Sequence, residues 1–179
     1  MDKLRVVSGS SRGTHLLSPE GLEFRPTLDH VKEAVFSMLM SVSDLNVLDL
    51  FSGSGGLGIE ALSRGALHAV FVDKSKYSLD ITKSNLKKTH LEDKANCVLS
   101  DYKSFILGNS EKFDLVFLDP PYKDGLLTDA ITLLGEKSLN LGARLVCEMD
   151  ASLIFEVPDG FSVIKDKKYG RCRVIVLEK

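Results

Sequence analysis

The chain predicts an α/β fold, a mostly parallel, doubly wound sheet with helices on both faces, and three features carry that prediction. Short apolar runs at about 46–51, 69–73, 95–99 and 113–118 alternate with helical patterns near 56–64, 76–89 and 125–135, the rhythm of parallel βαβ units. The first run enters a glycine-rich turn, Ser52-Gly53-Ser54-Gly55-Gly56-Leu57-Gly58, which opens a helix. The last two apolar runs, Phe161 to Lys168 and Cys172 to Glu178, are separated only by Tyr169-Gly170-Arg171. So short a link makes them antiparallel, because parallel neighbours need a crossover of a dozen or more residues.

Taken in order, Leu4 to Ser8 and His15 to Leu17 are short strand candidates around the turn segment Gly9 to Gly13, which predicts a hairpin outside the main domain. Thr27 caps a helix in which Val31, Ala34, Val35, Met38, Leu39 and Val42 recur at helical spacing, so one face must pack on the domain. Val47-Leu48-Asp49-Leu50-Phe51 reads as a buried strand, and Ala69-Val70-Phe71-Val72 as another that ends at Asp73. Asn96 to Ser100 is followed by Asp101, a natural N-cap for a helix from Tyr102 to Leu107. Phe113 to Leu118 runs into Asp119-Pro120-Pro121-Tyr122, and Ala143 to Met149 supplies a further buried strand before the final pair. Seven strands result, in one domain spanning 1–179: a hairpin and helix extension over 1–43 and a core over 44–179. No repeat, low-complexity tract or linker divides it.

A length of 179 residues with 44% hydrophobic content suits a single core. Cys97, Cys147 and Cys172 are widely spaced with no C-x-x-C, which fits a reducing cytoplasm. No run approaches the ~18 apolar residues of a membrane span, and the first residues carry no signal-peptide core, so a soluble protein is expected. His15, His30, His68 and His90 lack metal-ligand spacing, and no metal is expected. A net charge of −2 excludes a uniformly basic nucleic-acid binder. It leaves room for local patches: Lys165 to Lys179 holds six basic residues against two acids, and Lys3, Arg5, Arg12 and Arg25 form a milder set.

Two motifs carry chemistry. Gly53, Gly55 and Gly58 fit G-x-G-x-x-G, in which glycines permit a sharp turn, close approach to a ligand and close helix packing. Asp73, twenty residues past Gly53, stands where an acid accepts hydrogen bonds from ribose hydroxyls. In Asp119-Pro120-Pro121-Tyr122 the prolines fix φ and remove donors, so the loop aims a carboxylate and a backbone carbonyl outward. An exocyclic base amine has two N–H donors to match, and an aromatic ring such as Tyr122 stacks a base removed from its helix. In isolation the glycine turn also fits a nicotinamide-dependent oxidoreductase, and the tetrapeptide also fits a rigid turn with a surface tyrosine.

Together, Asp49 through Gly58, Asp73 and Asp119 through Tyr122 resemble the motifs of S-adenosylmethionine-dependent methyltransferases acting on base amines. With Arg25-Pro26-Thr27-Leu28-Asp29-His30-Val31-Lys32-Glu33-Ala34-Val35-Phe36 and the run Leu48 through Ala66, nearly the whole chain resembles the small-subunit (16S) ribosomal RNA guanine-N2 methyltransferase family. The resemblance implies a Rossmann-like methyltransferase fold, a mostly parallel seven-stranded sheet with the last strand reversed. It implies methyl transfer from S-adenosyl-L-methionine to a guanine N2 amine, on ribosomal RNA or the assembled small subunit; a monomer is expected. Arg25, Thr27, Asp49, Gly53, Gly55, Asp73 and Asp101 are implied at the cofactor, Asp49 toward its ammonium and Asp101 toward its adenine amine. Asp119, Pro120 and Tyr122 are implied at the reacting base, and the N-terminal hairpin toward RNA. The chain departs from the family at Arg12-Gly13-Thr14-His15, which lacks a second arginine, and at His30 and Lys32, where arginine is favoured. A DNA adenine-N6 or cytosine-N4 methyltransferase shares the tetrapeptide but needs a target-recognition insertion absent here, and a binding protein without catalysis is the remaining alternative.

Overall fold

A computed structural model of the chain describes residues 4–19, 29–121 and 125–179. Its centre is one seven-stranded sheet: β1 (Asn46–Asp49), β2 (His68–Asp73), β3 (Ala95–Leu99), β4 (Phe113–Leu118), β5 (Leu139–Asp150), β6 (Ser162–Tyr169) and β7 (Cys172–Glu178), in the order β3-β2-β1-β4-β5-β7-β6. The first five strands are parallel, and β7 runs antiparallel to both β5 and β6, the reversal expected from the three-residue link.

Successive side chains of the central strands point to opposite faces, and both faces are covered, so the middles of these strands are apolar on both sides. Val47, Ala69, Phe71, Leu115 and Phe117 join a core with α1 (Asp29–Leu39), α2 (Gly56–Ser63) and α3 (Lys76–Thr89). Leu48, Leu50, Val70, Val72, Val116 and Leu118 join a second core with α4 (Tyr102–Gly108) and α5 (Leu126–Lys137). Val31, Val35, Phe36 and Leu39 of α1 are buried, as their spacing requires, while Thr27, its expected cap, lies outside the described residues. Ser75 caps α3 by accepting from the Ser78 amide at 3.2 Å, and His90 closes that helix in the left-handed region at φ 56°.

Two segments depart from expectation. Strand β5 begins before Ala143, because Leu139 is buried opposite Phe113, and the register then slips before Leu115 pairs with Arg144. The N-terminal hairpin is reduced to one bridge, Arg5 to His15, and it lies inside the domain. Leu4, Val6 and Leu16 belong to the α1–α2–α3 core. Backbone polar groups explain why: the Glu60 carboxylate of α2 accepts from the Val7 and Ser8 amides at 2.8 and 2.9 Å, and the Ser10 amide donates to the Ser63 carbonyl at 2.8 Å. Asn85 of α3 receives the Leu17 amide at 2.7 Å. A free appendage would leave these buried acceptors unmatched.

The segment also has a direction. Its turn rests on the C-terminal ends of α2 and α3, where a Cβ on Gly9 would sit 1.9 Å from the Ser63 carbonyl oxygen and Ser11 Oγ donates to the Thr89 carbonyl at 2.9 Å. Leu4 lies instead near Gly56, at the helix N-terminus. Since α2 starts at the carboxyl edge of the parallel strands, the turn with Arg12 points to the opposite edge of the molecule.

Candidate active site

At the carboxyl edge, the loops after β1, β2, β3 and β4 surround a cleft of ≈ 390 Å³. Gly53, Asp73, Asp101 and Asp119 all line it, with Pro121 of the tetrapeptide. Phe51, Ser52, Lys74, Ser78, Ser100, Tyr102 and Leu126 complete the walls. Four strand ends separated by up to 70 residues thus meet because parallel strands bring like ends together, the usual place for a ligand in such sheets.

The glycine loop is held by polar contacts from Asp73 and from α3. Gly53 adopts φ 54° and Gly55 φ 78°, left-handed values natural to glycine. The Gly53 amide donates to Asp73 Oδ2 at 2.9 Å, Thr82 Oγ1 donates to the Gly53 carbonyl at 2.9 Å, and Asn85 Nδ2 donates to the Ser54 carbonyl at 2.9 Å. Thr82 and Asn85 are fully buried on α3, and sequence inspection passes over them as interior residues of a polar helix. Gly55 is constrained by packing rather than by ligand access: an added Cβ would lie 2.9 Å from Thr82 Cγ2 and 3.3 Å from Phe71 Cε1. At Gly58 the same atom would fall 2.3 Å from Phe71 Cε1, the close helix-to-strand contact expected of the third motif glycine.

Asp101 caps α4 by accepting from the Ser104 amide at 3.0 Å, which holds its carboxyl below the ordinary range, and it still faces the cleft. Tyr102 follows with its ring 5.8 Å from Phe51, and its hydroxyl donates to Asp129 of α5 at 2.6 Å. One wall of the cleft is therefore aromatic and braced. Pro120 is buried and Pro121 is exposed at the rim. Arg25, Thr27 and Tyr122 lie outside the described residues.

The electrostatics are anionic. Asp49 is buried behind the glycine loop with Oδ2 accepting from the Gly58 amide at 3.0 Å. Burial pushes its carboxyl up to about 7, the Gly58 bond opposes that, and the charges of Asp119 and Asp73 add to it. Asp119 keeps an open face to solvent, yet the protein packed on its other sides raises its carboxyl to about 6. Burial and like charge thus disfavour ionisation together. A cation placed beside Asp49 offsets its burial and the repulsion of the other two carboxylates.

A purine nucleoside bearing a cationic tail fits this site. Leu50, Phe51, Tyr102 and Leu126 offer apolar surface for the ring, Asp73 and Asp101 offer acceptors, and Ser52 Oγ is buried with no partner among the described residues, a group that a ligand atom satisfies. Among the described residues no cluster of His, Cys, Asp or Glu could hold a metal ion, and no helix is long and apolar enough to cross a membrane.

Known proteins resemble this chain along its whole length. Residues 4–178 match the family described as "Conserved hypothetical protein 95". "Putative rRNA methyltransferase YlbH" of Bacillus subtilis is 38% identical over 98% of this chain and 99% of its own. "Ribosomal RNA small subunit methyltransferase D" of Haemophilus influenzae is 35% identical over 94% of this chain and 90% of its own. Among solved structures, "Putative methyltransferase yhhF from Escherichia coli" superposes with a TM-score of 0.89 at 29% identity, covering 99% of this chain and 98% of that one. With the reversed-strand sheet and the shared cleft beneath these likenesses, the chain belongs to the Conserved hypothetical protein 95 family, in which the named relatives are ribosomal RNA methyltransferases.

Proposed function

We propose that this protein transfers a methyl group from S-adenosylmethionine to the exocyclic N2 amine of a guanine in small-subunit (16S) ribosomal RNA. One observation carries the reading: Asp119 and Pro121 open onto the same cleft as Gly53 and Asp73, so a base amine and a nucleoside cofactor meet in one space. Relatives whose names specify ribosomal RNA of the small subunit supply the polymer.

When bound, the cofactor supplies an electrophilic methyl group on a sulfonium. The chain's own residues then do the rest. Asp73 accepts from the ribose hydroxyls, Asp101 from the adenine amine, and the charge of Asp49 favours the ammonium. The lone pair of a guanine N2 amine is delocalised into the ring, so it must be localised before it attacks. The Asp119 carboxylate and the Pro120 carbonyl each accept one N–H of that amine, and Tyr122 stacks on the base. Holding the two reactants in line accounts for much of the acceleration, and the anionic site supports the positive charge that develops on nitrogen. With its carboxyl raised to about 6, Asp119 is mostly ionised at neutral pH and basic enough to receive the proton that the methylated nitrogen sheds.

The test incubates radiolabelled S-adenosylmethionine with ribosomal RNA, and with small subunits, from a strain lacking this protein, then maps the modified base. Label on a guanine N2 is expected. Label on an adenine N6 or a cytosine N4, or on duplex DNA and no RNA, would replace this reading. Asp119→Ala is expected to lower transfer by at least ~10²-fold while cofactor affinity stays within about threefold.

A further inference from the structure

The cleft itself is a poor binder of RNA. Asp73, Asp101 and Asp119 line it, Asp49 stands behind it, and Lys74 is its one lysine among the described residues. Phosphate affinity comes from cations that displace counterions, so they must lie outside the cleft but on the same edge of the sheet. At that edge Lys76 is already paired with Asp80 at 2.9 Å and Lys103 with Asp129 at 3.1 Å. Arg12 is on the opposite edge, with the turn that rests against Ser63 and Thr89.

We propose that the tip of the β6–β7 hairpin is the docking ridge for the RNA backbone, with Lys165, Lys167 and Arg171 as its phosphate contacts. This rests on the reading that the substrate is RNA. Three observations place and charge the ridge. Strand register aligns it with the catalytic loop: Leu118 pairs with Cys147, Cys147 with Ile175, and Ile175 with Asp166, so Lys167 stands level with Asp119 across the sheet. Three strand spacings separate β4 from β6, about 14 Å. Arg171, in the turn beyond Tyr169, projects several residues past that level, toward the side on which the cleft opens. A base entering the cleft therefore leaves its flanking strand within reach of the ridge.

Charge and exposure agree. Strand β6 is the sheet edge, and every residue from Ser162 to Lys168 is exposed. Among the described residues no carboxylate lies within ion-pair distance of Lys165, Lys167 or Arg171, whereas Arg173 is held by Asp166 at 2.7 Å and Lys168 acts on the same carboxylate. Lysines on an edge strand also discourage pairing between sheets. Glutamates do that equally well and repel phosphate, which separates the two roles.

The experiment measures binding of deproteinised small-subunit ribosomal RNA, and of a DNA duplex of equal length, to the full chain across a salt series. The variant carries Lys165→Glu, Lys167→Glu and Arg171→Glu, with Arg12→Gln as the control from the opposite edge. The ridge predicts that the triple variant binds RNA at least tenfold more weakly with a salt dependence shallower by about two to three ions, and that Arg12→Gln binds as the native chain does. Unaltered cofactor affinity confirms that the variant is folded. If it aggregates, Arg171→Glu alone, outside the ladder, is expected to weaken binding severalfold. Unchanged RNA affinity and salt slope in a soluble variant would overturn the ridge, and so would a native chain that prefers the DNA. Methyl transfer to the same RNA is scored separately, so a chain that binds through the ridge and transfers nothing sinks the proposed reaction and leaves the ridge standing.

Discussion

Asp49 and Glu60 are both acids deep in the fold, and their surroundings differ in one respect. Glu60 is surrounded by donors from this chain: the Val7 and Ser8 amides, Arg64 Nε at 2.7 Å, and the buried Lys32 ammonium at 3.8 Å, which itself donates to the Arg5 carbonyl. Asp49 receives one amide and faces two further carboxylates. A buried charge that the chain neutralises locks structure together, here the N-terminal segment to α1 and α2. One left among like charges is a standing cost that a cationic ligand offsets.

The largest effect that tests this contrast is Glu60→Ala. It removes the acceptor of two backbone amides and a carboxylate beside the buried Lys32 ammonium, and about 3–5 kcal/mol of stability should be lost, read as a drop in the urea midpoint. A loss under about 1 kcal/mol would mean that Glu60 is no keystone. Asp49→Asn should act in the opposite direction, because the amide keeps an oxygen for the Gly58 N–H and carries no charge. At pH 8 it is expected to raise stability by about 2–4 kcal/mol and to weaken cofactor binding at least tenfold; a destabilised variant would refute the account of Asp49.

The same carboxyl sets a pH dependence. Raised from 3.8 to about 7, Asp49 keeps its proton longer in the folded chain than in the unfolded one. Between those values the folded state binds more protons, so stability falls as pH rises from about 4 to about 7. Cofactor affinity runs the other way. Asp49 must shed its proton to meet a cation, so calorimetric affinity should climb from about pH 5 to pH 8, by at most about tenfold per unit. A flat profile would remove Asp49 from the cofactor's field. The smallest expected effect is Thr82→Val, which loses the hydroxyl that holds the Gly53 carbonyl. About 1 kcal/mol of stability and a few-fold of cofactor affinity should go, while Thr132→Val, on an exposed helix face, leaves both unchanged.

Much of this architecture was legible locally. The apolar runs gave the sheet, Tyr169-Gly170-Arg171 gave the reversed pair, and Asp101 gave a cap. These are properties of neighbouring residues: strand alternation, turn length and a side chain reaching its own backbone. The misplaced hairpin shows where local reading stops. Leu4, Val6 and Leu16 look like two short strands, but their burial and the matching of Val7 and Ser8 to Glu60 depend on residues more than 50 positions away.

By itself the sequence determined the order of strands and helices, the positions that need glycine or a cap, and which acids follow which strands, since each depends on backbone preference and burial within a short stretch. Only the tertiary structure decided that Asp49 stands among Asp73 and Asp119 while Glu60 is neutralised, that Thr82 and Asn85 hold the glycine loop, and that the turn with Arg12 and the tip of the β6–β7 hairpin face opposite edges. Charge and hydrogen bonding act over a few ångströms of space, and distance in space is what separation along a chain does not encode.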